Sequence, residues 1–427
     1  MRAAAKQRIF YGWFVFAACF LMVFTALGFC SSPKSLYLSA ITEDMGIPRS
    51  LFSINDSLRY ITTAVANVFF GFLVAKYGCR KLIFCGFLSL IASSLVYSFS
   101  TGIVMFCIGG CLLGLGLSWT TTTMVGLLVE RWSASNKGSV MGIILAANGL
   151  GGAISIQIVN AMIYSEGGWR LSYRVAAIIL AVVAVIVVLV IRNRPEEMGL
   201  KPMAANPNAK KKATASNTNK EWIGLSFKEA IRKPYFWLAL VCVYLTGMIL
   251  QSTGGVSSAH MKDCGVDPTA IAAILSVHSL ILMASKIGTG FCFDKLGLRR
   301  TMLICYCCGI VSIIMLAMVS NTFMAGFYSC LSPFALPLET IMLPLITTEL
   351  FGRKSYAFLM GLIVSFNTLG YAVGTPLMNL CYDLTGTYSN VMLVMCGVMV
   401  VVAVVMQFVI SAAHRERERV EREEANV

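Results

Sequence analysis

The sequence repeats itself at an offset of 219 residues, and the matching positions fall on short polar turns between long apolar stretches. Two separate regions keep this one register, which is hard to obtain by chance. The chain is therefore predicted to consist of two homologous halves joined by a linker. The offset pairs Gly71 with Gly290, Lys76 with Lys295, Gly78 with Gly297, Arg80 with Arg299, Lys81 with Arg300, Trp132 with Phe351, Gly142 with Gly361, Asn148 with Asn367, Leu150 with Leu369 and Gly151 with Gly370.

The composition indicates an all-α integral membrane protein. Hydrophobic residues make up 57% of the 427 residues and charged residues only 13%, whereas soluble proteins contain about 25% charged residues. Lipid must therefore cover the surface. The net charge of +14 does not indicate a nucleic-acid partner, because the Lys and Arg residues lie in alternate loops, as orientation signals do. Two homologous membrane halves are typical of solute carriers, which bind solute between the halves near the bilayer midplane.

No metal site or cofactor is expected. Most of the 15 cysteines fall in apolar runs, where cysteine acts as a small packing residue. No spacing of Cys and His resembles a zinc site, and the three histidines are far apart. The apolar run over residues 10–30 is longer than the core of a cleavable signal, which has about 7–15 residues.

The apolar segments predict twelve transmembrane helices, since each crossing needs about 20 apolar residues. We expect four parts: an N-terminal six-helix bundle over 1–191, a linker over 192–232, a C-terminal six-helix bundle over 233–411, and a tail over 412–427. The predicted spans are 10–33, 52–75, 82–100, 102–128, 138–164, 172–191, 233–258, 269–293, 301–319, 322–350, 357–382 and 387–411.

The loops predict the orientation. If both termini and the linker share one side, that side contains most of the basic residues, and the opposite loops contain only Arg49, Arg170, Arg174 and Lys262. By the positive-inside rule, the termini and the linker are cytoplasmic, and the protein lies in the plasma (inner) membrane.

The repeated turn resembles the signature of the major facilitator superfamily, Gly-x-x-x-Asp-(Arg/Lys)-x-Gly-x-(Arg/Lys)-(Arg/Lys), which follows the second span and recurs after the eighth. The first copy has Ala75 in place of the aspartate. The resemblance covers nearly the whole chain and implies two pseudo-symmetric six-helix bundles that work by alternating access. It also implies a gating role for Gly71, Gly78, Arg80, Gly290, Asp294, Gly297, Arg299 and Arg300.

Shorter motifs resemble the group of monocarboxylate transporters and oxalate–formate antiporters. They are Tyr11-Gly12-Trp13, Ser32-Pro33-Lys34-Ser35, Gly114-Leu115-Gly116-Leu117, Gly168-Trp169-Arg170 and Arg194-Pro195-Glu196-Glu197-Met198-Gly199-Leu200. In that group, a basic residue four positions before the eighth-span glycine pairs with the carboxylate substrate. Lys286 occupies that position here, where the group usually has Arg, and Leu282 stands where the monocarboxylate transporters have Asp.

Ionisable residues inside spans are candidates for function, because burying a charge in a bilayer costs about 3 kcal/mol or more. The spans contain Lys34, Arg59, Lys286 and Glu339, besides His278. Three of these four charges are positive. A cavity with surplus cations requires an anion such as a small carboxylate.

Each candidate has a second interpretation. Lys286 lies eight residues before Asp294, about 12 Å along a helix, so it either contacts substrate in a central cavity or snorkels to the headgroups. Lys34 is either an outer-vestibule cation that attracts anions or an ordinary interfacial lysine. Arg59 either contacts substrate or pairs with Asp56.

Three further hypotheses concern proton coupling and the cavity wall. Glu339 could carry a proton in a low-dielectric site or form a fixed ion pair with Lys286 or Arg59. His278 could be proton-sensitive or a hydrogen-bonded packing residue.

The fourth span offers an indole and several hydroxyls, those of Trp119 and Thr120–Thr123. These groups could line the cavity, or the hydroxyls could bond to their own helix. Tyr11 is a further candidate for a polar group in the cavity wall.

The sequence therefore favours a secondary active transporter of a small organic anion, a mono- or dicarboxylate, that works as a single chain by proton symport or anion exchange. The alternative on the same fold is efflux of a hydrophobic or cationic compound, which predicts several acidic residues facing the cavity. A membrane enzyme or receptor is the third class, and neither a nucleophile–base pair nor a soluble catalytic domain is evident.

Overall fold

The computed structural model describes residues 11–47, 49–133, 136–163, 168–200 and 224–425, and these are helical almost throughout. The first half contains the helices Gly12–Cys30, Lys34–Met45, Arg49–Val68, Phe70–Ser98, Ile103–Thr120, Thr122–Trp132, Lys137–Ile163 and Gly168–Val190. The second half contains the helices Phe227–Ile231, Pro234–Asp263, Pro268–Ala317, Thr322–Leu331, Met342–Phe351, Tyr356–Thr385 and Ser389–Ala425. Short 3-10 helices lie at Pro195–Met198, Ser332–Phe334 and Leu336–Glu339.

Two glycines interrupt long helices at positions related by the sequence repeat. Gly78 has φ 78° and ψ 165°, and Gly297 has φ 79° and ψ 173°. Such backbone conformations are accessible essentially to glycine alone. Each glycine makes the sharp turn between one span and the next, so the structure repeats the turn that the sequence repeats.

The chain crosses the membrane twelve times, as predicted. Among the described residues, nine helices are long and apolar enough to span a bilayer, and the bent pair Thr322–Glu339 and Met342–Phe351 makes a tenth. The turn at Gly297 divides its helix into two spans, which adds an eleventh. The turn at Gly78 separates residues 79–98 from 70–77, which continue the helix Arg49–Val68 and complete a twelfth. We number the spans in chain order.

The outer surface of the helices carries large apolar side chains. Ile178 in the sixth span is 64% exposed and Phe408 in the twelfth is 69% exposed. Exposed apolar surface of this kind requires a lipid environment. The protein is therefore a multi-pass integral membrane protein.

The end of the sixth span and the start of the seventh lie on one side of the molecule, together with the tail helix. We call this side the linker side. Asn193, just after the sixth span, accepts a hydrogen bond from the backbone N–H of Arg80 (3.0 Å). On the same side, Lys233 forms an ion pair with Glu416 (2.5 Å) in the tail helix. Residues 201–223, most of the predicted linker, lie outside the described residues.

On the linker side, the two halves touch at glycines. A Cβ atom added to Gly290 in the eighth span would lie 2.2 Å from the carbonyl oxygen of Gly138 in the fifth span. A methyl group cannot fit there, so the two helices meet backbone to backbone. The second span approaches the eleventh in the same way, since a Cβ on Gly361 would lie 2.3 Å from the carbonyl oxygen of Asn67.

Candidate functional site

A cavity of about 300 Å³ lies between the halves, at the lower end of the usual range for small-molecule sites. Its described lining comes from the first, second, fourth, fifth, seventh, eighth, tenth and eleventh spans. The lining residues are Leu27, Ser31, Arg59, Tyr60, Thr63, Asn67, Leu117, Thr121, Thr122, Thr123, Asn148, Gln251, Leu282, Lys286, Leu336, Glu339, Thr340, Leu343, Val364, Asn367, Thr368 and Tyr371.

Several residues that line the cavity occupy positions related by the sequence repeat, but the two halves have different charges at these positions. Five pairs of lining residues are related by the offset of 219: Thr63 and Leu282, Asn67 and Lys286, Leu117 and Leu336, Thr121 and Thr340, and Asn148 and Asn367. The same offset relates Glu339 to Thr120. The eighth and tenth spans therefore present ionisable groups at positions where the first half has an amide and a hydroxyl.

Lys286 faces this cavity and is only 3% exposed. Its ammonium lies 3.5 Å from the carbonyl oxygen of Leu145 in the fifth span. No carboxylate of the described residues lies within 4.0 Å of the Lys286 Nζ. The side chain therefore does not extend toward the headgroups, and its charge lacks an ionic partner in the described protein.

Glu339 faces the same cavity from the point where the tenth span breaks. Pro337 removes a backbone donor there, and the chain forms a 3-10 turn that ends at Glu339. Glu339 is 7% exposed, and its Oε1 atom has no hydrogen-bond partner among the described residues. The hydroxyl of Tyr371 lies beside the carboxyl group. The ion pair with Lys286 or Arg59, one of the two interpretations of Glu339, is not present among the described residues at 4.0 Å or less.

Arg59 also lines the cavity and shares its nearest carboxylate with Lys34. Lys34 Nζ lies 2.6 Å from Asp56 Oδ2, whereas Arg59 Nη1 lies 3.9 Å from Asp56 Oδ1. Asp56 is therefore bound mainly to Lys34, and the predicted i−3 pair with Arg59 is weak. Arg59 stacks on the ring of Tyr60 at 4.4 Å, and its Nε has no partner among the described residues. Lys34, with a side chain 43% exposed, lies outside the lining.

Three further predicted site residues lie elsewhere. The hydroxyl of Tyr11 donates to the carbonyl oxygen of Val190 at the linker side. His278 accepts or donates a hydrogen bond with Ser332 (3.1 Å) in a separate pocket of about 90 Å³ inside the second half. Trp119 is outside the lining, because it lies two helix positions from the lining residues on either side and points away from them.

The signature aspartate of the second turn binds the other half. Asp294 accepts hydrogen bonds from the backbone N–H groups of Gly138 (3.0 Å) and Ser139 (2.7 Å), and from the Ser139 hydroxyl. These groups belong to the first turn of the fifth span, so the carboxylate caps the start of that helix across the interface. Ala75 has no carboxylate and cannot make the corresponding contact. This contact between the halves, which we call a latch, is therefore present at the second turn and not at the first.

The arginines of the signature act within their own half or at its surface, whereas Gly71 packs against the other half. Arg80 donates to the carbonyl oxygen of Val188 (2.7 Å) and Arg299 to the side chain of Gln407 (3.1 Å). A Cβ on Gly71 would lie 2.6 Å from the backbone of Phe358, so Gly71 permits close packing across the interface. Arg300 is exposed.

A cluster of ion pairs around Glu130 forms a second latch on the linker side, and the sequence did not lead us to predict it. Glu130, at the end of the fourth span, pairs with Lys137 (2.7 Å) and with Arg353 of the other half (2.5 Å). It also accepts a hydrogen bond from Thr348 (3.1 Å). One sequence feature could have indicated Glu130: the repeat offset aligns it with Glu349, so both halves have a glutamate at this position. Together with Asp294, this cluster closes the cavity on the linker side.

Comparison with known proteins agrees with this architecture. The solved structure of the transporter FucP, described as being in the outward conformation, superposes with a TM-score of 0.69, covering 92% of this chain and 98% of that one at 12% identity. That likeness concerns the fold alone.

Curated relatives are distant. The membrane sensor protein UhpC of Salmonella typhimurium is 25% identical over 68% of this chain, and the match spans 66% of its own length. The sialic acid transporter NanX of Escherichia coli is 22% identical over 62% of each chain. Human monocarboxylate transporter 12 is 22% identical over 91% of this chain and 78% of its own.

The family model for the Major Facilitator Superfamily matches residues 18–348 and 252–426. These matches span most of the chain, and the twelve spans, the repeated glycine turn and the cavity between two halves are all present. The family and fold predicted from the repeated turn are thus confirmed: this chain belongs to the Major Facilitator Superfamily.

Proposed function

We propose that this protein is a secondary active transporter that carries a small organic anion, a carboxylate, by alternating access. The observation that carries the proposal is the buried ammonium of Lys286, which faces the cavity without an ionic partner among the described residues. A buried charge is costly unless it is paired. A substrate carboxylate would supply that partner and would therefore bind here in preference to a neutral molecule.

The charge count favours an anionic substrate. Lys34, Arg59 and Lys286 contribute three positive charges, and Asp56 and Glu339 two negative ones, so the group carries a net charge of +1 when all are ionised and +2 when Glu339 holds a proton. A monocarboxylate would neutralise the first state and a dicarboxylate the second. Arg59 and Lys286 are the proposed substrate-binding cations, and Lys34 attracts anions from the side opposite the linker.

Alternating access fits the two latches. Asp294 and Glu130 hold the halves together on the linker side, and both contacts must break for the cavity to open there. Basic residues concentrated on the linker side favour its placement in the cytoplasm, with the protein in the plasma (inner) membrane. One chain encloses the whole cavity, which favours a single chain as the functional unit.

Two relatives support an acidic substrate through their names, a sialic acid transporter and a monocarboxylate transporter. A third relative is named a multidrug resistance protein. Efflux of a cationic compound is the less favoured alternative, because Glu339 is the sole acidic residue in the described lining. UhpC is named a membrane sensor protein. If this chain were a sensor, it would bind its ligand without transporting it.

Glu339 is the proposed proton-coupling residue, and His278 is set aside because it lies in a separate pocket. In proton symport, apparent affinity for the anion falls as pH rises, since Glu339 must hold a proton for anion to bind. In exchange, internal substrate accelerates uptake without that dependence. Uptake into proteoliposomes at several pH values, with and without internal substrate, separates the two.

Binding to wild-type protein in lipid nanodiscs tests the charge requirement. The probes are lactate, its neutral analogue lactamide, and choline as a small cation, each measured by thermal shift, since ligands stabilise the state they bind. We expect lactate to stabilise and the other two to have little effect. Stabilisation by lactamide or choline equal to that by lactate would overturn the proposal. Binding of lactate without uptake into proteoliposomes would favour a sensor.

A further inference from the structure

The neutral part of the cavity wall contains polar groups of two kinds. Most hydroxyls are already bonded: Thr121 donates to the carbonyl oxygen of Leu117 (2.7 Å), and Thr368 donates to that of Val364 (2.8 Å). A hydroxyl bonded to its own helix has no donor left for a ligand. These residues therefore shape the cavity rather than recognise its contents.

A few lining groups have no hydrogen-bond partner among the described residues. They include the side-chain amide of Asn148, the hydroxyl of Thr122 and the amide oxygen of Gln251, whose Nε2 donates to Tyr60 (3.1 Å). By contrast, Asn367, the repeat partner of Asn148, donates to the carbonyl oxygen of Val243 (3.1 Å) and is 1% exposed. Asn367 thus uses its amide N–H within its own half, whereas the Asn148 amide has both its donor and its acceptor available for a ligand.

Asn148 stands next to the proposed carboxylate anchor. The ammonium of Lys286 lies 3.5 Å from the carbonyl oxygen of Leu145, and Asn148 follows Leu145 by three positions on the same helix. Residues three apart on a helix lie about 5–6 Å from each other on one face. A ligand whose carboxylate binds Lys286 therefore has its adjacent carbons within reach of the Asn148 amide.

We infer that the substrate is a hydroxylated carboxylate, with hydroxyl groups on the carbons near the carboxylate that Lys286 binds, and that Asn148 is a specificity-determining residue that binds those hydroxyls. This inference rests on the proposed function. Unpartnered amide groups lose their water when a ligand fills the cavity, and a ligand without hydroxyls would leave them unsatisfied. Hydroxylated acids would therefore bind more tightly than alkyl carboxylates of equal carbon number.

Matched ligand series on wild-type protein in nanodiscs test the inference. The first series is propionate, lactate and glycerate, and the second is hexanoate and gluconate, with glycerol as the neutral control. We expect affinity to rise by roughly threefold to tenfold for each hydroxyl near the carboxylate. If propionate and hexanoate bind as tightly as their hydroxylated partners, or if no hydroxy acid binds, the inference is wrong. If glycerol binds as tightly as glycerate, the proposed function itself fails.

Two variants assign the effect to a residue. Asn148→Ala should lower the affinity for glycerate toward that for propionate and leave propionate binding unchanged. Thr368→Val is the matched control, because that hydroxyl lines the same cavity but is bonded to its own helix, and it should keep the wild-type ratio. An unchanged ratio in Asn148→Ala would overturn the assignment, and the ligand series on wild type stands even if the variant folds poorly.

Discussion

The carboxylate of Glu130 lies 2.5 Å from the Nε atom of Arg353, and this ion pair joins the two halves on the linker side. Glu130 also lies 2.7 Å from Lys137 and has a side chain only 8% exposed. One carboxylate thus neutralises two cations from different halves. Removing it would leave those cations close together without an anion, which favours separation of the halves.

We expect Glu130→Gln to shift the protein toward a state that opens on the linker side. Loss of one member of a partly buried pair costs about 2 kcal/mol here, below the value for a fully buried pair because Arg353 is 34% exposed. Spin labels placed on the linker-side ends of the fifth and eighth spans would report the change as longer distances. The control is Glu349→Gln at the repeat-related position, since Glu349 forms no ion pair of 4.0 Å or less among the described residues. Equal distance distributions in both variants would contradict the latch.

Asp294→Ala should also weaken the closure, through a different interaction. The variant removes acceptors for two backbone N–H groups and one hydroxyl at the start of the fifth span, and loss of a helix cap costs about 1 kcal/mol. Hydrogen exchange at Gly138 and Ser139 should accelerate by roughly fivefold. Lys295→Ala, an exposed neighbour in the same turn, should leave exchange unchanged. Unaltered exchange in Asp294→Ala would show that the cap is dispensable.

Gly297→Ala tests whether the turn geometry of the repeat is required. Gly297 has φ 79°, and an added Cβ would meet no neighbouring atom, so the cost arises from backbone strain alone, about 2 kcal/mol. We expect a lower apparent Tm in detergent. Gly288→Ala, in open space within the helix before the turn, should leave Tm equal or higher, because alanine favours helix. A Tm for Gly297→Ala equal to that of Gly288→Ala would mean that the turn tolerates a side chain.

The sequence predicted the fold well because the determinants of the fold are local. Runs of apolar residues identify spans, and a glycine that must adopt positive φ is visible at Gly78 and again at Gly297. The break in the tenth span before Glu339 was less evident, since a proline in an apolar run is compatible with a continuous, kinked helix.

The site was predicted only in part, because its geometry depends on which face of each helix meets the other half. Lys286, Arg59 and Glu339 line the cavity, and their roles in it stay predictions. Trp119 and His278 do not, since helix rotation turns them toward other surroundings. The sharing of Asp56 between Lys34 and Arg59 could not be inferred, because the closer partner is distant in sequence.

Glu339→Gln distinguishes proton coupling from a structural role. The amide cannot release a proton at physiological pH, so proton-driven accumulation of lactate should be lost while exchange of internal for external lactate persists. Thr340→Val, at the adjacent lining position, is the control and should retain both activities. Loss of both accumulation and exchange in Glu339→Gln, in a variant that still binds lactate, would assign the residue to structure instead of coupling.

The most direct test of the central claim is the affinity of Lys286→Gln for lactate, measured in nanodiscs beside Lys262→Gln, which removes an exposed lysine outside the cavity. A charge-assisted hydrogen bond contributes about 1.5–3 kcal/mol, so the Kd should rise by roughly tenfold to a hundredfold in Lys286→Gln and stay at the wild-type value in Lys262→Gln. Lys286→Arg, which keeps the charge, should retain part of the affinity. A folded Lys286→Gln protein with the wild-type Kd for lactate would contradict the assignment of this cavity to an organic anion.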